Sequence, residues 1–138
     1  MQYEKPFANI TYVRGWVDLG IKRISVSFIA HTRYLEVRHR RTKKPLMALF
    51  WTNIQDISHE LVDGSHIAGI FNDLPVLFDE RPRINQESAL VITYADMDNQ
   101  LLQYPTFAIG RQQARFDRLA NRIWQHRNQF VRDYKNKE

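Results

Sequence analysis

The last quarter of the chain reads RQQARFDRLANRIWQHRNQFVRDYKNKE, residues 111–138. Apolar side chains recur in it at intervals typical of one face of an α-helix; they are Phe116, Leu119, Ala120, Ile123, Trp124, Phe130, Val131 and Tyr134. The opposite face carries a stripe of arginines, namely Arg111, Arg115, Arg118 and Arg122. The segment therefore predicts one long amphipathic helix over residues 111–135.

The chain before this helix has the alternation of apolar and polar side chains that is typical of half-buried β-strands. The clearest case is Ile24–Phe28, where apolar residues alternate with two serines. Further strands are predicted within 7–19, 34–38, 46–51, 89–95 and 100–109, whereas 52–62 fits either a strand or a short helix. Pro105 indicates an edge or a bulge in its strand.

Strands followed by one helix indicate the α+β class. We predict a strongly bent antiparallel sheet, or a partly open barrel, of six to seven strands within residues 7–109, capped by the long C-terminal helix. The 138 residues and the 43% apolar content suit a single domain over 1–138. Residues 63–88 are broken by glycines and prolines, and we expect only one short strand or helical turn there.

The net charge of +5 is unevenly distributed along the chain. Residues 1–52 carry a net +7, residues 53–110 a net −7 and residues 111–138 a net +5. Such segregation indicates either a partner surface of opposite sign or attraction between two parts of one domain, and both interpretations remain open.

The densest group of cations is RHRRTKK, residues 38–44, which lies between two predicted strands and is followed by Pro45. We interpret it as a hairpin tip that binds an anionic partner through Coulomb attraction, although charged side chains can also serve to keep a strand edge soluble. The predicted partner-binding residues are Arg38, Arg40, Arg41, Lys43 and Lys44, with Arg111 and Arg115 of the helix if they lie alongside.

Catalytic signatures are absent from the sequence. The chain has no cysteine, no Gly-x-Ser-x-Gly elbow and no glycine-rich phosphate loop. His59, Glu60 and His66 resemble a His-Glu-x-x-His zinc motif only superficially, because Asp63 stands where the second histidine belongs. We expect a protein that is not an enzyme and that needs no cofactor or metal.

The location of the protein is suggested by two absences in the sequence. Residues 1–5 lack the basic and apolar regions of a signal peptide. The longest apolar run, Leu46–Trp51, is too short to span a membrane. We expect a cytoplasmic protein, with peripheral contact to the inner membrane surface left open.

The order of the segments resembles a pleckstrin-homology-like domain. The resemblance is carried by Ile24–Arg38, Leu46–Ile57, Ala89–Ala95, Leu101–Ile109 and Arg111–Tyr134, and it includes an Ile54-x-x-Ile57 step after a strand and a helix aromatic at Trp124. It implies a strongly bent sheet that the final helix plugs at one end. The family's phosphoinositide motif is not carried over, because Arg38-His39-Arg40 ends a later strand than the motif requires.

These observations lead to one main hypothesis on function and two alternatives. The main hypothesis is a non-enzymatic binding or scaffold module that docks on an anionic protein or an anionic lipid surface through the basic hairpin. The first alternative is a nucleic-acid-binding protein, which the net +7 of residues 1–52 and the arginine stripe of the helix suggest. Tyr34, Phe50 and Trp51 near the tip could stack on bases, although aromatic residues in strands more often belong to the core. The second is a structural protein that assembles through its own oppositely charged segments.

Overall fold

The computed structural model describes residues 5–63 and 86–136, so any element expected within 64–85 lies outside the described residues. The elements are β1 Ala8–Arg14, β2 Ile24–Ala30, β3 Tyr34–His39, β4 Pro45–Phe50, a 3₁₀ turn Trp51–Asn53, β5 Ile54–Asp63, β6 Gln86–Asp96, β7 Leu101–Gln103, β8 Thr106–Gly110 and the helix α1 Gln113–Asn136. The α+β class predicted from the sequence is confirmed. The ambiguous segment 52–62 is a short 3₁₀ turn followed by a strand.

All the described strands belong to one antiparallel sheet in the order β4-β3-β2-β1-β8-β6-β5, with β7 also paired to β6. β6 pairs with β7 through Tyr94–Asp96 and with β8 through Ser88–Val91. β7 and β8 are therefore two parts of one strand that is interrupted at Tyr104 and Pro105. This interruption is the irregularity that Pro105 predicts, because proline has no N–H to donate to a ladder.

The sheet curls into a half-barrel. β4 and β5 are the two edges in the pairing order, yet only the three residues Trp51–Asn53 join them. Three residues span at most about 11 Å, so the two edges must approach each other at this point. Trp51 fills the inside of the bend with only 1% of its surface exposed, and its indole N–H donates to the carbonyl of His31 at 2.9 Å.

The helix α1 covers the inside of the half-barrel with its apolar face. Leu119, Ala120 and Ile123 are buried in the main core, which also contains Phe28 and Phe107. The turn into the helix begins at Gly110, whose φ of +94° lies in the left-handed region that favours glycine. The apolar face of the predicted helix is thus confirmed as the core-facing side.

Three connections lie at the end of the half-barrel where β1 finishes. They are the β1–β2 loop (residues 15–23), the β3–β4 hairpin (residues 40–44) and the β6–β7 turn (residues 97–100). Antiparallel pairing places them together, because it brings the end of β1, the start of β2, the end of β3 and the start of β8 to the same side. We name this side the loop end. The helix instead packs near Phe7 at the start of β1, where His126 of α1 lies 5.7 Å from the Phe7 ring.

Replacement of a core residue of the helix tests this packing. We expect Ile123→Ala to lower the free energy of unfolding by about 2–4 kcal/mol, because Ile123 is fully buried and its removal leaves a cavity. The measurement is urea unfolding followed by circular dichroism. The control Gln125→Ala, on the exposed face of the same helix, should change stability by less than about 0.5 kcal/mol. Equal effects of the two variants would contradict this assignment of faces.

Candidate functional site

The predicted hairpin tip is confirmed as the connection between β3 and β4. Backbone hydrogen bonds from His39 N to Lys44 O (2.8 Å) and from Lys43 N to His39 O (2.9 Å) close a four-residue turn. The His39 ring also caps this turn, because its Nδ1 accepts hydrogen bonds from the backbone N–H groups of Arg41 and Thr42, both at 3.2 Å. The tip is therefore held in a defined conformation.

Lys43 occupies the last position of the turn in the left-handed region, with φ of +64°. A residue with a Cβ atom is less stable there than glycine, by roughly 1–2 kcal/mol. The turn thus carries a cation where glycine or asparagine would be more stable. Strained residues of this kind are frequent at binding sites.

The five cations predicted for the hairpin fall into two groups. Arg41, Lys43 and Lys44 are exposed, and no described residue accepts a hydrogen bond from their side chains or forms an ion pair with them. Arg40 differs, because its guanidinium donates to the carbonyl of Ile10 on β1 at 3.1 Å. Arg40 therefore anchors the hairpin to the sheet.

Arg38 belongs to a compact charged cluster on β3. Its guanidinium donates to the carboxylate of Glu36, with Nη2 3.1 Å from Oε1, and the same oxygen lies 2.6 Å from Nε2 of His31. Burial would raise the pKa of Glu36, but the hydrogen bonds from Arg38 and His31 outweigh it and hold this pKa below its usual value. Much of the Arg38 charge is thus balanced within the protein.

Two arginines of the predicted helix stripe, Arg115 and Arg122, contact the rest of the domain. Arg115 donates to the carbonyls of Asn9 (2.7 Å) and Ile109 (3.1 Å), and so it bridges β1 and β8. Arg122 lies 4.9 Å above the Phe7 ring. Arg111 is exposed and lies two residues before the helix begins. Of the two helix residues predicted to extend the docking surface, Arg115 therefore has a structural partner, and Arg111 is exposed.

Between residues that the structure describes, ion pairs connect the basic and acidic parts of the sequence at two places. Arg14 lies 3.0 Å from Glu60, and Arg23 lies 3.8 Å from Glu87. Both pairs are partly exposed, so each contributes little to stability. They nevertheless show that part of the charge segregation is satisfied by attraction between two parts of one sheet.

A buried carboxylate organises the β6–β7 turn. Asp96 accepts hydrogen bonds from the backbone N–H groups of Asp98 (3.1 Å) and Asn99 (3.3 Å) and from the side chains of Asn99 and Gln103. Burial would raise the pKa of Asp96, but these hydrogen bonds, with those of Asn99 foremost, hold it below its usual value. Oε1 of Gln103 in turn accepts from the backbone N–H of Val17 at 2.7 Å, which ties this turn to the β1–β2 loop.

The aromatic residues proposed to stack on nucleic-acid bases do not lie near the tip, so this part of the sequence interpretation is wrong. Tyr34 pairs with Phe50 at the far ends of β3 and β4, with ring centroids 5.9 Å apart. At roughly 3.3 Å per residue, they are about 15 Å from the tip. Trp51 is almost completely buried and cannot stack on a ligand.

The two described residues of the weak zinc motif have other partners within the protein. His59 contacts Ser88 Oγ at 2.9 Å and packs against the Phe116 ring, while Glu60 pairs with Arg14. His66 lies outside the described residues. Within residues 5–63 and 86–136, no group of three or more potential ligands is placed to hold a metal ion.

Sequence reasoning missed two features of the loop end. The first is the capping role of His39, which no local sequence motif indicates. The second is a set of exposed apolar side chains in the β1–β2 loop and the β6–β7 hairpin, including Val17, Ile21 and Met97. Their signal in the sequence is weak, although Ile21 does stand between Gly20 and Lys22 in an otherwise loop-like segment.

Comparisons of the chain with protein-family models, with curated proteins and with solved structures find no match. In the described part of the chain, no helix combines the length and the apolar character needed to cross a membrane.

The strain at the hairpin tip predicts a stabilising substitution. We expect Lys43→Asn to raise the free energy of unfolding by about 0.5–1 kcal/mol, because asparagine tolerates the left-handed region better than lysine. Chemical denaturation measures this change. The substitution Lys44→Asn at the exposed neighbouring residue is the matched control and should not change the free energy of unfolding. A Lys43 variant that is no more stable than this control would contradict the assignment of backbone strain to Lys43.

The hydrogen bonds of Asp96 predict a pH dependence. A carboxyl whose pKa is lower in the folded state stabilises the fold above its unfolded pKa of about 3.9, and this contribution is lost as the pH falls through the folded pKa. We therefore expect the stability of the wild type to fall on acidification below about pH 4 more steeply than that of Asp96→Asn. Thermal unfolding across this range measures the difference. Asp98→Asn, in the same turn but exposed, should keep the wild-type slope.

Proposed function

We propose that the chain is a non-catalytic, pleckstrin-homology-like binding module that docks on an anionic surface through the β3–β4 hairpin. The observation that carries this proposal is the exposure of Arg41, Lys43 and Lys44 on a turn that the His39 ring holds in place. Three cations without described partners on a fixed tip are suited to meet phosphate or carboxylate groups.

The architecture supports the pleckstrin-homology-like part of the proposal. That resemblance implies a strongly bent antiparallel sheet closed by a final helix, and the chain has a curled sheet with α1 packed inside it. The helix occupies one side of the sheet, and it leaves the three connections of the loop end for contact with a partner.

The expected strength of docking follows from electrostatics. Each lysine or arginine close to an anionic membrane contributes about 1 kcal/mol, so the three tip cations together supply about 3 kcal/mol. Salt screens such attraction beyond about 10 Å at 0.1 M ionic strength. The tip alone therefore supports weak, reversible and salt-sensitive docking.

The preformed turn adds to this affinity. Ordering a flexible loop on binding opposes association by about 0.5–1.5 kcal/mol for each immobilised side chain. The backbone of the tip is already fixed by the His39 cap and by the closing pair of His39 and Lys44. Only the long side chains need to be ordered when the partner binds.

The two alternatives receive less support from the geometry. Base stacking by Tyr34 or Phe50 would occur away from the cations of the tip, and Trp51 is buried. Self-assembly through opposite charges remains a prediction, but the pairs Arg14–Glu60 and Arg23–Glu87 already use some of those charges within one chain.

Charge reversal at the tip tests the proposal. We expect the double variant Arg41→Glu, Lys43→Glu to reduce binding to phosphatidylcholine vesicles that contain phosphatidylserine, and to polyglutamate, by more than about tenfold, since reversing two charges removes over 1.4 kcal/mol of attraction. Sedimentation with vesicles at low and moderate salt, and a fluorescence titration with polyglutamate, provide the measurements. Arg40 is left intact because it anchors the hairpin to Ile10.

The matched control is the double variant Arg118→Glu, Arg132→Glu, which makes the same charge change on the exposed face of the helix. It should bind within about threefold of the wild type, because surface charges farther away than a Debye length are screened. An equal loss of binding in both double variants would show that net charge, and not the position of the tip, determines binding. Failure of the wild type to bind either probe at low salt would overturn the proposed function.

A further inference from the structure

The loop end carries a concentration of exposed apolar side chains. Among the described residues, eight large apolar side chains are exposed, and six of them lie in the β1–β2 loop or in and just after the β6–β7 hairpin. We name these six the apolar rim: Val17, Ile21, Met97, Leu101, Leu102 and Tyr104. Ile21 is 85% exposed and Met97 is 70% exposed, although burial of large apolar side chains away from water is favourable.

The members of the apolar rim come from two segments that contact each other. The backbone N–H of Tyr104 donates to the carbonyl of Gly15 at 3.2 Å, and that of Val17 donates to the Gln103 side chain at 2.7 Å. Met97 begins the turn 97–100 that joins β6 to β7, and Leu101 and Leu102 follow this turn. The six side chains therefore lie on two segments that are joined to each other, and large exposed apolar patches mark sites of interaction.

The position of the rim is fixed by buried polar contacts. Asp96 and Gln103, which are 7% and 3% exposed, hold the β6–β7 turn and join it to the β1–β2 loop. Gly15 makes the close approach possible, because a Cβ atom at this position would lie 1.8 Å from the carbonyl oxygen of Tyr104. A rigid frame therefore presents the apolar side chains to solvent.

The shape of the rim favours a fluid partner. Leu101 and Leu102 are consecutive residues of β7, so their side chains point to opposite faces of the strand, and both are close to half exposed. A protein surface that covered one face would leave the other in water, unless it formed a deep cleft. A lipid layer can surround both faces and the turn at Met97 without shape complementarity.

The charge of the loop end favours the same partner. Its three connections, residues 15–23, 40–44 and 97–100, contain six lysines or arginines and two aspartates, a net charge of +4. The basic hairpin and the apolar rim share this end of the sheet. Cationic and apolar side chains together match the anionic headgroups and the acyl chains of a membrane interface.

We propose that the surface on which this module docks is an anionic phospholipid bilayer, and that the apolar rim enters the interface while the basic hairpin holds the headgroups. This inference rests on the docking function proposed above and names its partner. The hairpin supplies a long-range, salt-sensitive attraction, and the rim supplies a short-range contribution that salt does not screen. Stable membrane attachment commonly requires two such signals.

The absence of cysteine from the sequence allows a direct test of insertion. Met97→Cys, labelled with an environment-sensitive fluorophore, should shift its emission to the blue on addition of phosphatidylserine-containing vesicles, and lipids brominated on their acyl chains should quench it. Leu61→Cys is the matched control, because Leu61 is also an exposed apolar residue (56%) but lies on β5 outside the rim. Its fluorophore should respond to neither treatment.

Removal of the apolar side chains provides the second arm of the test. We expect Val17→Ser with Met97→Ser to weaken vesicle binding by about tenfold, or 1.4 kcal/mol, and to leave polyglutamate binding unchanged. Leu61→Ser should behave as the wild type. Because all three residues are more than half exposed, these variants are expected to fold, which urea unfolding verifies.

The outcomes separate this inference from the proposed function. Vesicle binding that depends on Arg41 and Lys43, but without a shift at Met97 and without loss in the serine variant, would overturn insertion and retain docking through the hairpin. Binding to polyglutamate alone would overturn the bilayer as partner and indicate an acidic protein instead. A shift at Met97 that persists after charge reversal of the hairpin would support insertion and overturn the role of the hairpin.

Discussion

The fold depends on the passage of the chain from β4 to β5 across the open side of the sheet. Only Trp51–Asn53 separate these two edge strands, so the sheet cannot remain flat while both strands keep their pairing. Trp51 stabilises the bend in two ways: its ring is buried in the core, and its N–H donates to the carbonyl of His31. The curled sheet then offers an apolar interior that the helix α1 fills with Leu119, Ala120 and Ile123.

Two turns of the loop end are stabilised by the same pattern of hydrogen bonds. In the β3–β4 hairpin, His39 accepts two backbone N–H groups from the second and third residues after it, and in the β6–β7 turn Asp96 accepts two in the same positions. Both turns finish with a residue in the left-handed region, Lys43 and Gln100. One turn presents cations and the other presents apolar side chains, so the same backbone geometry supports both halves of the proposed membrane contact.

The arginines of the chain differ in whether they bind groups of the protein itself or remain available to a partner. Arg115 bridges two strands, Arg40 binds a strand carbonyl and Arg38 lies beside Glu36, so these three arginines help to hold the fold together. Guanidinium groups suit this work because they donate in several directions at once. Of the five hairpin cations predicted to bind a partner, Arg41, Lys43 and Lys44 are the ones left available, which is a narrower surface than the sequence suggests.

The sequence by itself determined the local features of this protein. The spacing of Ile123 and its neighbours predicted the helix, the alternation around Val26 predicted a strand, and the cluster before Pro45 predicted the hairpin, because each depends on residues close together in the chain. Only the tertiary structure decided which cations are available and where the aromatic and apolar side chains lie. Arg40 binds Ile10, which is 30 residues away, and Arg115 binds Asn9, which is 106 residues away. The apolar rim forms only where two distant loops meet. Contacts between residues so far apart leave no periodic trace in the sequence, since they depend on how the sheet curls and which loops it brings together.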